Sequence, residues 1–160
     1  MDPHAIVIEP ARATDAPAVI ELIGRVFAEY HFSWNPSLEV PDLFDLERRY
    51  GGGAGAFWVA RLDGRVVGSV GVERLSGGRA ELHRLYLDAS LRGRGVGRSL
   101  VEAVLGWCRK AGVARLVLWS DTRFDRAHRL YEGMGFTKTG ERTLPDDPND
   151  TREFRYERAV

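Results

Sequence analysis

Apolar positions along the chain switch between a helical and a strand period, and the switches mark out the elements. Val19, Ile20, Leu22, Ile23, Val26 and Phe27 recur as one face of a helix, with Thr14 as its expected N-cap and a short strand, Ala5 to Glu9, before it. A second, shorter helix is predicted over Pro41 to Tyr50, and glycine-rich residues 51–55 follow as a loop. Strands are then expected at Ala56 to Leu62 and Arg65 to Leu75, joined by the hairpin dipeptide Asp63-Gly64, and at Ala80 to Leu87 after a turn through Ser76 to Arg79. The period next lengthens to about 3.6: Leu100, Val101, Val104, Leu105 and Cys108 line one face of a helix that ends near Gly112. Val113 to Trp119 reads as a buried strand, and Phe124, Ala127, Leu130, Tyr131 and Met134 as another helical stripe. Phe136 to Arg142 and Arg152 to Arg158 close the chain as an antiparallel pair around a turn-rich segment from Leu144 to Asp150. This order predicts a mixed α/β (α+β) domain with one strand, helix, strand crossover.

The 160 residues suit a single domain spanning 1–160, and one cysteine leaves no internal disulfide. With 23 Lys or Arg against 23 Asp or Glu, the chain lacks the basic excess of a nucleic-acid or membrane-surface binder. No apolar run approaches the roughly 18 residues of a membrane span. Met1-Asp2-Pro3-His4 has none of the basic character of a secretory leader, so a cytoplasmic location is expected. The neutral total hides a local bias. Residues 84–129 carry 10 Lys or Arg and 4 Asp or Glu, which points that region toward an anion.

Within it lies Arg92-Gly93-Arg94-Gly95-Val96-Gly97-Arg98, between a strand and a helix. Glycines there allow close backbone approach, while free N–H groups at the helix start favour phosphate oxygens. A nucleotide-triphosphate loop is excluded because its first glycine would fall on Arg92, and the dinucleotide fingerprint begun at Gly93 and Gly95 fails at Arg98. The pattern Arg-x-x-Gly-x-Gly resembles the acetyl-CoA loop of the GNAT superfamily of N-acetyltransferases. Residues 80–87 resemble that family's fourth strand, and Ala127-His128-Arg129-Leu130-Tyr131-Glu132-Gly133-Met134-Gly135-Phe136 resembles its tyrosine helix. The resemblance covers roughly residues 56–140 and implies a mostly antiparallel seven-stranded sheet flanked by four helices. One departure is plain: where many members carry an Asn seven residues before the tyrosine, this chain has Phe124.

For the chemistry, the resemblance implies Tyr131 as proton donor to the departing thiolate, and a phenol of pKa ~10 can donate to a thiolate of pKa ~8.5. Glu81 stands eleven residues before Arg92, as the catalytic glutamate does in members that use one, and His83 is a second candidate base on the same strand face. A bulge in this strand is also implied. Backbone groups at Leu85 to Leu87, Tyr86 among them, are expected to pair with the pantetheine arm, one N–H near Leu85 to serve the oxyanion, and loop residues Arg92, Gly93, Arg94, Gly95, Val96, Gly97 and Arg98 to hold the pyrophosphate. Arg123, Arg126 and Arg129 are candidates for an outer phosphate. Cys108 reads as core, and four scattered histidines predict no metal site.

The expected activity is acetyl transfer from acetyl-CoA directly to a small-molecule primary amine. Acetylation of a protein lysine or N-terminus, and an acyl-CoA-binding sensor without catalysis, are the alternatives. The acceptor is expected against the aromatic loop Tyr30 to Asn35, with Asp146, Asp147 and Asp150 as carboxylates able to meet an ammonium group. Monomer and homodimer both remain open.

Overall fold

The computed structural model describes residues 5–160; the leader reading of Met1 to His4 falls outside them. Seven strands form one sheet in the order β1-β2-β3-β4-β5-β7-β6. They are β1 (Val7–Pro10), β2 (Gly55–Leu62), β3 (Arg65–Arg74), β4 (Arg79–Leu87), β5 (Arg115–Asp121), β6 (Thr137–Thr143) and β7 (Arg152–Ala159). Every neighbouring pair is antiparallel except β4 and β5. The helices are α1 (Ala16–Glu29), α2 (Pro36–Glu39), α3 (Leu46–Tyr50), α4 (Val96–Lys110) and α5 (Asp125–Gly133). No helix among the described residues is long and apolar enough to cross a membrane.

The sheet is covered on both faces, which explains why residues 66–72 of β3, with valines at 66, 67, 70 and 72, are buried without interruption. Val19, Leu22, Ile23 and Phe27 of α1 pack with Phe57, Val59 and Val66 on one face. On the other, Leu100, Val101, Val104, Leu105 and Cys108 of α4 pack with Val67, Val70, Val72 and Leu82. Burial pushes the Cys108 thiol up to about 11, so it is inert packing.

Several predicted boundaries move by a residue or more, and three do so for a local reason visible in the structure. Residues 13–15 form a 3-10 turn, so α1 starts after Asp15 and not after Thr14; the Asp15 carboxylate accepts from the Arg12 N–H at 2.8 Å and from Arg61 at 2.7 Å. The helix expected over Pro41 to Tyr50 is a 3-10 turn over Pro41–Asp45 and then α3, because Asp45 leaves helical geometry at φ −141° and ψ 50°. β5 begins at Arg115, since the Val113 N–H still closes α4 on the Cys108 carbonyl. At the hairpin, Asp63 (φ 50°) and Gly64 (φ 79°) both take the left-handed conformation that a two-residue turn requires.

The feature that makes room for function is a split in the sheet. β4 and β5 pair only through Arg79 to Glu81 with Arg115 to Val117, after which β4 stays with β3 to Leu87 and β5 with β7 to Asp121. A bulge drives the divergence: between the pairs Ser69–Tyr86 and Gly71–His83, β4 carries one more residue than β3, and Arg84 sits at φ 54°. The cleft therefore opens at the carboxyl ends of two parallel strands, below α4 and α5.

Candidate active site

Two cavities of about 360 Å³ each lie along this cleft, and Leu85, Tyr86, Phe124 and Ala127 line both. Their chemistry differs. The first is a groove along the end of β4 and the start of α4, lined by apolar Val26, Leu87, Val96 and Leu130 and by Arg92, Arg98, Arg126 and Arg129, with no carboxylate. Gly93 (φ 80°) and Gly95 (φ 79°) take positive φ to carry the chain into α4. At Gly97 a Cβ would stand 3.2 Å from Leu130 Cδ2, so the missing side chain lets α4 and α5 approach closely. The first N–H groups of α4 have no partner within the helix and face this end of the groove with the positive end of its dipole.

Predicted groove residues divide by what their side chains do. Arg92 is a strut: it makes a bidentate pair with Glu29 at 2.6 and 2.9 Å and donates to the Leu87 carbonyl at 3.1 Å. That carbonyl is thus occupied, and the backbone expected to meet a ligand at Leu87 retains its N–H. Arg98 pairs with Glu102 at 3.3 Å, and Arg94 is exposed with no ion pair among the described residues. Arg126 and Arg129 line the groove. Arg123 does not; it grips Asp121 through 2.8 and 2.9 Å bonds and lies 4.0 Å over the Phe32 ring.

The second cavity is ionic. Glu81, His83 and Arg84 reach it from β4, Asp121 from the end of β5, Glu153 from β7, and Glu39 and Asp42 from the segment before α3. Most of these charges are paired. Asp42, only 4% exposed, accepts from Arg84 Nη2 at 2.6 Å and from the Tyr50 hydroxyl at 2.6 Å. Burial alone would raise the Asp42 carboxyl, but the Arg84 bonds and charge outweigh it and hold the group below its usual range. The Arg84 carbonyl in turn accepts from Ser69 Oγ at 2.8 Å, so the strained bulge is tied down at both side chain and backbone.

Glu81 and His83, the two candidate bases, meet: Glu81 Oε2 lies 2.5 Å from His83 Nε2. Burial works against the Glu81 carboxylate, yet the His83 contact prevails and lowers its pKa. Tyr131 of α5 lines the same cavity, 3% exposed, with its ring against Phe136 and Tyr156. Burial, reinforced by the Tyr86 and Tyr156 hydroxyls, raises its pKa, so the phenol stays protonated at any working pH. Phe124 joins Tyr30, Phe32 and Tyr86 in an aromatic wall with centroid spacings of 4.9, 6.1 and 6.4 Å. The loop aromatics therefore reach the junction of the two cavities through Phe124.

A clasp roofs the ionic cavity. Asn149 accepts from the Ser33 N–H at 2.7 Å and donates to the Ser33 carbonyl at 3.0 Å, pinning the segment after α1 to the β6–β7 loop. Asp147 holds that loop in shape by accepting from the Asn149 and Thr151 N–H groups, and Asp147 itself lines the cavity. Sequence reasoning missed Asn149, Asp42 and Tyr50; none belongs to a motif. His128 is buried between Phe154 and Tyr156, a burial that lowers its pKa, and belongs to packing.

The family model described as Acetyltransferase (GNAT) family matches residues 21–136, a stretch that includes the split strands, the glycine loop and the tyrosine helix. The chain belongs to the GNAT family. Among GNAT relatives, it is 30% identical to the uncharacterized N-acetyltransferase YjgM of Escherichia coli over 84% of this chain and 83% of that protein. It is 39% identical to N-acetyltransferase 8F1 of Rattus norvegicus, but over 64% of this chain and only 49% of the rat protein, so the shared part is about half of that relative. Among solved structures, a GNAT acetyltransferase from Staphylococcus aureus Mu50 superposes with a TM-score of 0.85 at 25% identity, over 97% of this chain and 99% of that one. The GNAT fold, with its mostly antiparallel seven-stranded sheet, is thus shown, and the chain is an acyl-transfer enzyme by family.

Proposed function

We propose that this acetyltransferase moves the acetyl group of acetyl-CoA directly onto a primary amine of a small molecule. The carrying observation is the junction of two chemically opposite cavities at Leu85, Tyr86, Phe124 and Ala127, with Glu81 and Tyr131 on the ionic side of it. The groove fits an anionic, extended partner: glycines open its floor, free helical N–H groups and arginines meet phosphates, and the unpaired edge of β4 beyond Glu81 offers peptide groups to an amide-bearing arm. An acceptor cavity of about 360 Å³ under the Asn149 clasp matches a small molecule better than a protein segment.

The chain's residues would act as follows. The Glu81–His83 pair takes a proton from the bound ammonium, freeing a lone pair to attack the thioester carbon. A β4 backbone N–H beside the Arg84 bulge stabilises the oxyanion. As the C–S bond breaks and the C–N bond stands, the second proton on the attacking nitrogen passes to the departing sulfur, whose developing thiolate the Tyr131 hydroxyl hydrogen-bonds. Its raised pKa makes full transfer uphill, so hydrogen bonding is the larger part of its contribution. Cys108 is remote in the core and inert, consistent with transfer that uses no protein nucleophile.

Thiol release from acetyl-CoA, measured across amines, amino acids, polyamines, aminoglycosides and short peptides, tests this reading. Turnover with a small amine is the expected result. Turnover confined to peptides would move the assignment to protein acetylation, and tight CoA binding without turnover would make the protein an acyl-CoA sensor.

A further inference from the structure

The base proposed above does not stand alone. A hydrogen-bonded chain runs from the bulge to Glu81: Arg84 to Asp42 at 2.6 Å, Asp42 to the Tyr50 hydroxyl at 2.6 Å, Tyr50 to His83 Nδ1 at 3.2 Å, and His83 Nε2 to Glu81 Oε2 at 2.5 Å. With Asp42 held ionised by its two bonds from Arg84, one arrangement of protons satisfies it. The Tyr50 hydroxyl has a single hydrogen, and the short contact with the Asp42 carboxylate claims it; two bare oxygens at that distance would repel. Tyr50 therefore meets His83 as an acceptor, and Nδ1 must carry a hydrogen. With Nδ1 so committed, Nε2 brings a lone pair to a carboxylate oxygen, a contact that holds only if a further proton lies between them.

Resting on the acetyl-transfer reading, we infer that Glu81 and His83 work as one base that shares a single proton, and that Tyr50, anchored by Asp42, is the positioning residue that sets its strength. When the shared proton leaves, the Nε2 lone pair and the Glu81 carboxylate face each other, and the pair draws a proton strongly. It recovers one from the acceptor's ammonium group, the amine attacks, and the proton then passes to water before the next turnover. Without the Tyr50 acceptor, His83 is free to place its hydrogen on Nε2 and donate it to Glu81. That tautomer relieves the repulsion and makes the pair a weaker base.

The charged and titratable groups around the pair come from every element packed against it. Asp42, Arg49 and Tyr50 stand at α3 and the turn before it, Glu73 on β3 with its carboxylate 3.7 Å from Nδ1, and Arg84 on β4. Arg142 on β6 and Arg155 on β7 act on Glu81 through their charges, and Arg142 is itself neutralised by Glu153 at 2.7 Å. Tyr50 keeps its hydrogen throughout, because burial and then the Asp42 charge raise its pKa.

The test is nitrogen-15 NMR of histidine-labelled free protein, followed by the pH profile of kcat/KM. Above the acidic limb, His83 in the wild type should show the Nδ1–H tautomer, and Tyr50→Phe should convert it to the Nε2–H tautomer. The same substitution should move the acidic limb down by roughly one pH unit, the size of one charge-assisted hydrogen bond, and lower the plateau several-fold. A wild-type Nε2–H tautomer, or a limb unmoved in Tyr50→Phe, overturns the inference. Phenylalanine keeps the ring packed against Phe57 at 5.1 Å, and if that variant does not fold, the wild-type tautomer alone still decides. The NMR result stands apart from the acetyl-transfer reading, which fails only if no acceptor supports thiol release.

Discussion

The two halves of the cleft are built from different materials. The groove proposed for the cofactor is built largely from backbone: turn glycines, helix-start N–H groups and a strand edge within residues 85–98, flanked by one face of α5 and by Val26 and Tyr30 at the end of α1. The ionic cavity proposed for the acceptor is made from side chains delivered by α2, β4, β5, α5, β6, β7 and the turn before α3, held by ion pairs such as Arg84 with Asp42, 42 residues apart in the chain. A backbone-built site tolerates loss of single side chains but not a change of glycine. A site built from paired buried charges behaves in the opposite way, because removing one partner strands the other.

That contrast sets the expected effects of substitution. The largest is on stability. Asp42→Ala leaves Arg84 and Tyr50 without their shared carboxylate and should cost about 3–5 kcal/mol in urea unfolding, whereas Arg126→Ala in the groove should stay within about 0.5 kcal/mol. Equal losses would erase the distinction. The pH dependence follows from the lowered Asp42 pKa. Its contribution is complete above the unfolded value near ~3.9 and drains away as the pH falls through the lower folded value, so the acid-induced loss of stability in the wild type should be shallower in Asp42→Ala.

Next in size is chemistry. Tyr131→Phe should lower kcat by roughly a hundredfold while acetyl-CoA affinity changes little, since the hydroxyl is needed only as the thiolate develops. Wild-type kcat would remove Tyr131 from the reaction. Gly95→Ala forces a Cβ into a left-handed conformation at φ 79° and should weaken acetyl-CoA binding by about tenfold, read by calorimetry, with acceptor KM unchanged. The smallest effect sharpens the comparison from the other side. Asn149→Ala opens the clasp and should raise acceptor KM by about fivefold, leaving acetyl-CoA affinity alone. An effect on both substrates would mean that the cavities are not separate compartments.

The same contrast explains what was legible in the sequence. Gly93, Gly95 and Gly97 announce the groove because turn chemistry and close helix approach restrict those positions locally, and the strand periods place β4 and α4 on either side. Tyr131 and Glu81 were reached by resemblance to motifs with fixed spacing. Asp42 and Tyr50 were not, because their role depends on partners 42 and 33 residues away, and an Asp and a Tyr in a helical stretch carry no sign of each other. The Asn149 to Ser33 clasp spans 116 residues and is invisible for the same reason. Arg92 shows the converse: its place in the loop pattern was plain, but its ion pair with Glu29 came from the packing of α1 against the end of β4.

The two cavities must meet at the reacting centre, and a crystal structure of the protein with CoA shows whether they do. The pyrophosphate is expected on the Gly93 to Arg98 backbone, the pantetheine arm along β4 past Leu85, and the sulfur at the junction within hydrogen-bond reach of the Tyr131 hydroxyl. A sulfur lodged away from Tyr131, or an arm that leaves the β4 edge before Leu85, would contradict it.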